Sequence, residues 1–294
     1  MEEQLNELRA LAAHAENRRT ETGIPRVAMV QGTIPEHELA AVYEPMINLI
    51  LQGGKSMTVG GQTLHYDPAT YFVMSVDLPA AGVVHPADSG APYLAVSLTL
   101  DVPLLVGLLS ELPDTADRAG QKSGFSVATV TPELLGAWVR MLRLMRHPSD
   151  IPALAPAYER EILYRVLQGP MGWMLRGIAT PDTALARVNL AIQRIRREYE
   201  RPLRMEELAA EVAMSVSAFH RHFKAVTALS PLQYQKQIRL LQARSLLITA
   251  GYSVTSAAHE VGYESPTQFG REYARTFGMP PAKDATRIIT GMKA

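Results

Sequence analysis

Apolar positions along this chain recur with two different periods, and the change of period divides it. Between Arg26 and Asp101, the short runs VAMV, MINLILQ, KSMTV, TYFVMSV and YLAVSLTL are rich in β-branched and aromatic residues and are separated by Gly, Pro and Asp. That pattern predicts a set of short strands. Gly60-Gly61, between KSMTV and QTLHY, is a hairpin signal. So many strands in so short a stretch predict a small β-barrel or jelly roll whose interior can hold one small ligand. Helical spacing follows over 133–146 (Leu134, Trp138, Met141, Leu142, Met145) and 158–168 (Ile162, Leu163, Val166). These two helices are expected to pack on the barrel or on a second subunit.

From about residue 182 the helical period dominates, and it occurs twice. EELAAEVAMS followed by VSAFHRHFKAV is answered by VTSAAHEVGYES followed by PTQFGREYARTFG. Ala209 matches Ala258 and Val212 matches Val261 at a spacing of 49, and Phe219 matches Phe269 and Phe223 matches Tyr273 at a spacing of 50. A one-residue difference confined to the turn leaves both helices of each copy in phase, as two helix-turn-helix units allow. They are expected over about 205–227 and 253–278. Ser215 caps the first recognition helix, and Ser265 with Pro266 starts the second, where the missing proline N–H costs nothing. Between the copies, 231–251 reads as one long helix with apolar Leu232, Ile238, Leu241 and Leu246, stopped by Gly251.

With Phe219, Phe223, Phe269, Tyr273 and Phe277 assigned inward as core, the helical period leaves another set outward. Ser217, His220, Arg221 and Lys224 share the outer face of the first recognition helix, and Thr267, Gln268, Arg271 and Arg275 that of the second. Hydrogen-bonding and cationic side chains in the first turns of a helix suit base edges in a major groove. Arg221 and Arg271 are the candidates for bidentate guanine contacts, and Lys236, Arg239 and Arg244 on the long helix for phosphate or solvent.

Charge sharpens this division. The 294 residues carry 29 Lys/Arg and 29 Asp/Glu. Residues 181–294 nevertheless hold 16 Lys/Arg against 10 Asp/Glu, a balance of +6, and residues 1–180 the opposite, −6. One part therefore suits a polyanion and the other does not. With 47% hydrophobic and 20% charged residues the composition is that of a globular protein. No run is apolar enough for a membrane span and the N-terminus lacks a secretory signal, so a cytoplasmic location is expected, on the nucleoid when bound to DNA. The absence of cysteine removes disulfides, Cys-based zinc sites and thiol nucleophiles together.

The tandem units, the Gly262-Tyr263 turn, the Phe277-Gly278 ending and Met279-Pro280-Pro281 make residues of about 185–289 resemble the DNA-binding domain of AraC/XylS-family bacterial regulators. The resemblance implies two helix-turn-helix subdomains on a long helix, each reading half of a bipartite double-stranded operator. Gly270 departs from the family, which often has a groove-facing side chain there, so the second unit is expected to read fewer bases. The stretch from Tyr43 to Gly82, with EILYRVLQGPMGWML, resembles the cupin-like N-terminal domain of one branch. That domain is taken to sense an effector and to form a homodimer; contact with RNA polymerase is a further implied possibility. The resulting fold class is α+β: a cupin-like β-barrel with flanking helices over 1–178, a linker over 179–183, and an all-α domain over 184–294.

An enzyme is the less favoured reading. His65 and His85 lie in the strand region without the His-x-His pair and nearby Glu of a metal cupin, and a loop or packing role is expected for them. Phosphate loops, G-x-S-x-G elbows and H-E-x-x-H helices are absent, so no catalytic residue, metal or cofactor is assigned. Two alternatives stay open: a metalloenzyme fused to a DNA-binding domain, and a barrel that only dimerises. Tyr43, Tyr66, Tyr71 and Tyr93 suit either a pocket or cross-strand packing, and ligand-binding residues are left unassigned.

Overall fold

A computed structural model of the chain describes residues 1–32, 40–68, 70–113 and 123–291. Among the described residues the strand-forming runs build ten strands: β1 (Thr20–Glu21), β2 (Val27–Gly32), β3 (Ala41–Tyr43), β4 (Met46–Gln52), β5 (Gly54–Val59), β6 (Gln62–Tyr66), β7 (Thr70–Met74), β8 (Leu78–His85), β9 (Tyr93–Thr99) and β10 (Phe125–Thr129). They form two antiparallel sheets, ordered β1-β2-β9-β4-β7-β10 and β3-β8-β5-β6. The sheets face one another as an open, cupin-compatible sandwich and do not close into a barrel. The β5–β6 hairpin turns at Gly60, whose φ of 58° is the left-handed conformation expected there.

Both faces of the larger sheet are covered. Along β9, Tyr93, Ala95, Ser97 and Thr99 point between the sheets, leaving Leu94, Val96 and Leu98 for the other face. Helices α1 (Glu2–Leu11), α2 (Val102–Ser110), α3 (Pro132–Arg143), α4 (Ile151–Gln168) and α5 (Gly172–Ala179) pack together, with α1 resting on β4 and on α3. The helix read from the sequence as 158–168 thus begins earlier, at Ile151, and 133–146 ends in a 3₁₀ turn over Leu144–Arg146. α1 was not foreseen: its burial rests on Leu5, Leu8 and Leu11 alone.

The remaining chain is helical: α6 (Ala184–Arg197), α7 (Met205–Glu211), α8 (Val216–Thr227), α9 (Pro231–Thr249), α10 (Val254–Glu260), α11 (Pro266–Phe277) and α12 (Pro281–Gly291). Thr183 starts α6 by accepting the Ala186 N–H at 3.0 Å. α7–α8 and α10–α11 are the two helix-turn-helix units, and α9 connects them. The repeat extends to geometry. Phe219 and Phe223 meet edge-on with ring centroids 5.5 Å apart at 63°, and Phe269 and Tyr273 do so with the same values. Both turns reach positive φ at corresponding positions, Ala213 at 51° and Gly262 at 84°, as do both helix ends, Ala228 at 59° and Gly278 at 77°.

The core is divided unequally. One continuous apolar cluster runs from Leu5 through both sheets and into the first unit, ending at Ile238. The second unit has its own cluster, from Leu240 through Phe269 and Tyr273 to Ala285, and Tyr199 borders both. A seam of polar contacts accompanies the shared core. Tyr234 of α9 donates its hydroxyl to the Asp77 carbonyl at 2.8 Å, Gly124 donates its N–H to the Val226 carbonyl at 2.8 Å, and Arg196 pairs with the Asp77 carboxylate. At the β5–β6 tip a Cβ on Gly60 would lie 2.7 Å from the Ala228 carbonyl, so only glycine lets hairpin and helix end approach this closely.

Candidate nucleic-acid interface and ligand cavity

Each recognition helix starts where its sequence places it. Ser215 accepts the Ala218 N–H and Ser265 the Gln268 N–H, both at 3.3 Å. Burying Phe219, Phe223, Phe269 and Tyr273 completely turns the opposite faces outward. Ser217, Arg221 and Lys224 are exposed and His220 is half-buried on α8; Thr267, Gln268, Arg271 and Arg275 are exposed on α11. Gln268 donates to Glu272 at 3.2 Å, and Ser217 lies 3.4 Å from the capping hydroxyl of Ser215. Arg221, Lys224, Arg271 and Arg275 have no ion pair among the described residues. A Cβ on Gly270 would meet nothing within 4 Å, so the site that departs from the family is open.

The long helix corrects three expectations. Arg239 is not a phosphate ligand: its guanidinium donates to the carbonyls of Tyr199 (2.6 Å), Gly262 (3.0 Å), Glu200 (3.0 Å) and Arg201 (3.1 Å), clamping the α6–α7 loop to the turn of the second unit. Gly262 is part of the same joint, since any Cβ there would run into the Glu200 carbonyl. Arg244, expected in solvent or on phosphate, is buried against Asp284 at 2.9 Å with its cation 4.5 Å from the Phe277 ring centre. Leu232, counted as an apolar contact, is 56% exposed. Lys236 remains on the surface, 3.8 Å from Glu272.

Between the sheets lies a cavity of about 690 Å³. Met29, Met46, Met57, Phe72 and Ala95 supply its apolar wall, and Asn17, Arg18, Arg19 and Glu44 also border it. Tyr43, Tyr66 and Tyr93 line it, whereas Tyr71 faces away. Lys55 projects inward from β5 because Lys55, Met57 and Val59 occupy the buried parity of that strand. Its ammonium sits 4.9 Å from the centre of the Tyr43 ring. Burial lowers the Lys55 pKa to about 8 and raises those of Tyr43, Tyr66 and Tyr93. Two buried polar atoms in this lining, the Tyr66 hydroxyl and Asn48 Oδ1, have no hydrogen-bond partner among the described residues.

His65 and His85 take neither a loop nor a packing position. They stand on β6 and β8 on the outer face of the smaller sheet, each 2.8 Å from the Ser56 hydroxyl that lies between them. Strand parity sends them away from the cavity, to the side opposite Lys55. Among the described residues, no group of three or more His, Asp or Glu side chains could hold a metal ion.

A two-sheet domain joined to paired, outward-facing recognition helices defines a class of DNA-binding transcription regulator, and comparison with known proteins agrees. The family model for the AraC-type transcriptional regulator N-terminus matches residues 23–174, over half of the chain, and a helix-turn-helix domain model matches 208–287. The chain belongs to the AraC-type transcriptional regulators and carries their helix-turn-helix DNA-binding domain. Similar curated proteins include the HTH-type transcriptional activator RhaS of Klebsiella pneumoniae, 30% identical over 146 residues, 49% of this chain and 50% of that protein. RhaS of Citrobacter koseri is 30% identical over 134 residues, 45% and 46% of the two chains. The chain thus spans about half the length of the curated relatives it matches. Among solved structures, unsaturated fatty acid-bound ToxT from Vibrio cholerae has the same fold, with a TM-score of 0.56 at 10% identity over 88% of this chain and 92% of that one. No helix among the described residues is long and apolar enough to cross a membrane.

Proposed function

We propose that the chain is a non-enzymatic, effector-controlled regulator that acts as a homodimer on a bipartite operator in the cytoplasm. The division falls at 179–183, with sensing and dimerisation before it and DNA reading after it. The carrying observation is how the basic residues are used: Arg239 and Arg244 are spent inside the fold, while Arg221, Lys224, Arg271 and Arg275 are exposed on the two recognition helices with no ion pair among the described residues. In this reading Arg221 and Arg271 contact guanine edges, and Ser217, His220, Thr267 and Gln268 neighbouring bases. Lys224, Arg275 and Lys236 neutralise phosphate.

The cavity favours a sensor over a barrel that only dimerises, because a concave space of this size, mostly apolar with a few buried polar groups, is the form of a small-molecule site. The fatty acid held by ToxT supports a small-molecule occupant for this fold. An occupant changes operator binding only if it prefers one arrangement of the two units over another. Footprinting of the purified protein on its own upstream region tests the reading. Two protected patches about one helical turn apart are expected, and a single patch, or none, refutes it. Activation through RNA polymerase is tested separately, by transcription from that promoter.

A further inference from the structure

The polar groups of the cavity are not scattered. Tyr43, Tyr66 and Tyr93 are close enough to perturb one another electrostatically, and the Lys55 ammonium lies against the Tyr43 ring. Lys55 and Tyr66 are register partners on β5 and β6, so this cation and the three phenols line the same cavity, whose wall includes Met29, Met57, Phe72 and Ala95. Lys55 is 7% exposed and forms no ion pair among the described residues; Glu44, also on the lining, is exposed to solvent. An interior ammonium without a carboxylate is costly, and the buried hydroxyl of Tyr66, its register partner on β6, has no acceptor among the described residues.

We propose that the cavity takes an apolar molecule bearing a single anionic head, a carboxylate or a group of like shape, which pairs with Lys55 and accepts from the Tyr66 hydroxyl while its body lies on the methionine and Phe72 wall. This deepens the effector reading and rests on it. One anion satisfies both features at once: it supplies the missing counter-charge and an acceptor for the orphaned hydroxyl. A neutral alcohol or amide leaves the ammonium unpaired, and an amine adds a second cation. Because binding requires the protonated Lys55, whose pKa burial sets at about 8, affinity is expected to fall as pH rises past that value.

The test uses the full-length protein and two probe pairs, octanoate against octanamide and 4-phenylbutanoate against its amide, read by calorimetry and thermal shift at pH 7. At least one acid is expected to bind at least tenfold more tightly than its amide. Lys55→Met is expected to abolish that preference and Tyr66→Phe to reduce it severalfold. Replacing a buried cation by an apolar chain of similar length keeps the fold, which the unliganded melting temperature verifies. Amides binding as tightly as acids, or acids binding Lys55→Met undiminished, overturn the anion assignment and leave the effector reading standing. Failure of every probe, charged and neutral, overturns both.

Discussion

Asp284 is the place where one atom group holds a whole reading unit together. Its carboxylate is fully buried and accepts from Arg244 (2.9 and 3.3 Å), from the Tyr273 hydroxyl (2.9 Å) and from Arg287 (2.9 Å). Asp284→Ala removes the carboxylate that pairs with the buried Arg244 guanidinium, which costs about 3–5 kcal/mol. It also leaves the Tyr273 hydroxyl unpaired, which costs about 1–3 kcal/mol and overlaps with the first figure, because both groups lose the same partner. A net loss of about 4 kcal/mol raises the opening equilibrium roughly a thousandfold. Because α10–α12 close over their own cluster, the loss is expected to stay there. Hydrogen exchange should show α10, α11 and α12 losing about three decades of protection while β4 and β9 keep theirs, and the footprint should shrink to one half. Arg244→Met combined with Asp284→Leu should recover much of the stability, since apolar groups of similar volume replace a buried pair well. Equal loss of protection in the sheets, or less than a tenfold change in α10–α12, would refute this account. The pH dependence has a definite sign. Burial works to raise the Asp284 pKa, but hydrogen bonds from Arg244 and Arg287 prevail and hold it below the usual value. Its contribution is therefore present above the unfolded carboxylate pKa and is lost as pH falls through the lowered one.

Four further outcomes are expected. Arg221→Ala and Arg271→Ala should each cost about 1–3 kcal/mol of operator binding and relax preference at one or two base pairs; equal weakening on every sequence in a binding-site selection would reassign them to phosphate. Arg239→Ala should destabilise the joint at Tyr199 and Gly262 without altering the salt slope of DNA binding, whereas Lys236→Ala should reduce that slope by about one, as titration in salt would show. Ala213→Gly should raise the melting free energy by about 1 kcal/mol, because alanine at a φ of 51° is strained where the second unit has glycine; a lower melting temperature counts against the strain argument. Raising the pH from 7 to 9.5 should weaken octanoate binding by about tenfold or more through loss of the Lys55 proton, and calorimetry at both values would show it.

The repeat was legible because helix-turn-helix geometry is local: caps, small residues at the crossing and aromatic spacing all lie within about two turns of one another. Ser215, Ser265 and the buried faces could be read from neighbours in sequence. The fate of Arg239 and Arg244 could not. A long cationic side chain on a connecting helix looks the same whether it reaches water or the carbonyls of a loop 40 residues away in sequence. Lys55 lies between these cases, since the alternation of Met57 and Val59 fixes its parity and the run KSMTV held the signal. The number of strands, the pairing of two sheets and the use of their interior depend on contacts that no local pattern encodes.

The seam at Gly60, Gly124 and Asp77 bears on how this protein can be rebuilt. A cut at 179–183 looks like a clean boundary between interchangeable modules, yet α8 and α9 share their core with the sheets. A foreign sensor grafted there would need its own acceptor for Tyr234 and a glycine tip narrow enough for Ala228. The separable piece is smaller: the second unit, with its own core and its buried Arg244–Asp284 lock, travels with the far half of α9. Chimeras that exchange only that unit should keep the sensor's melting behaviour while acquiring a new half-site.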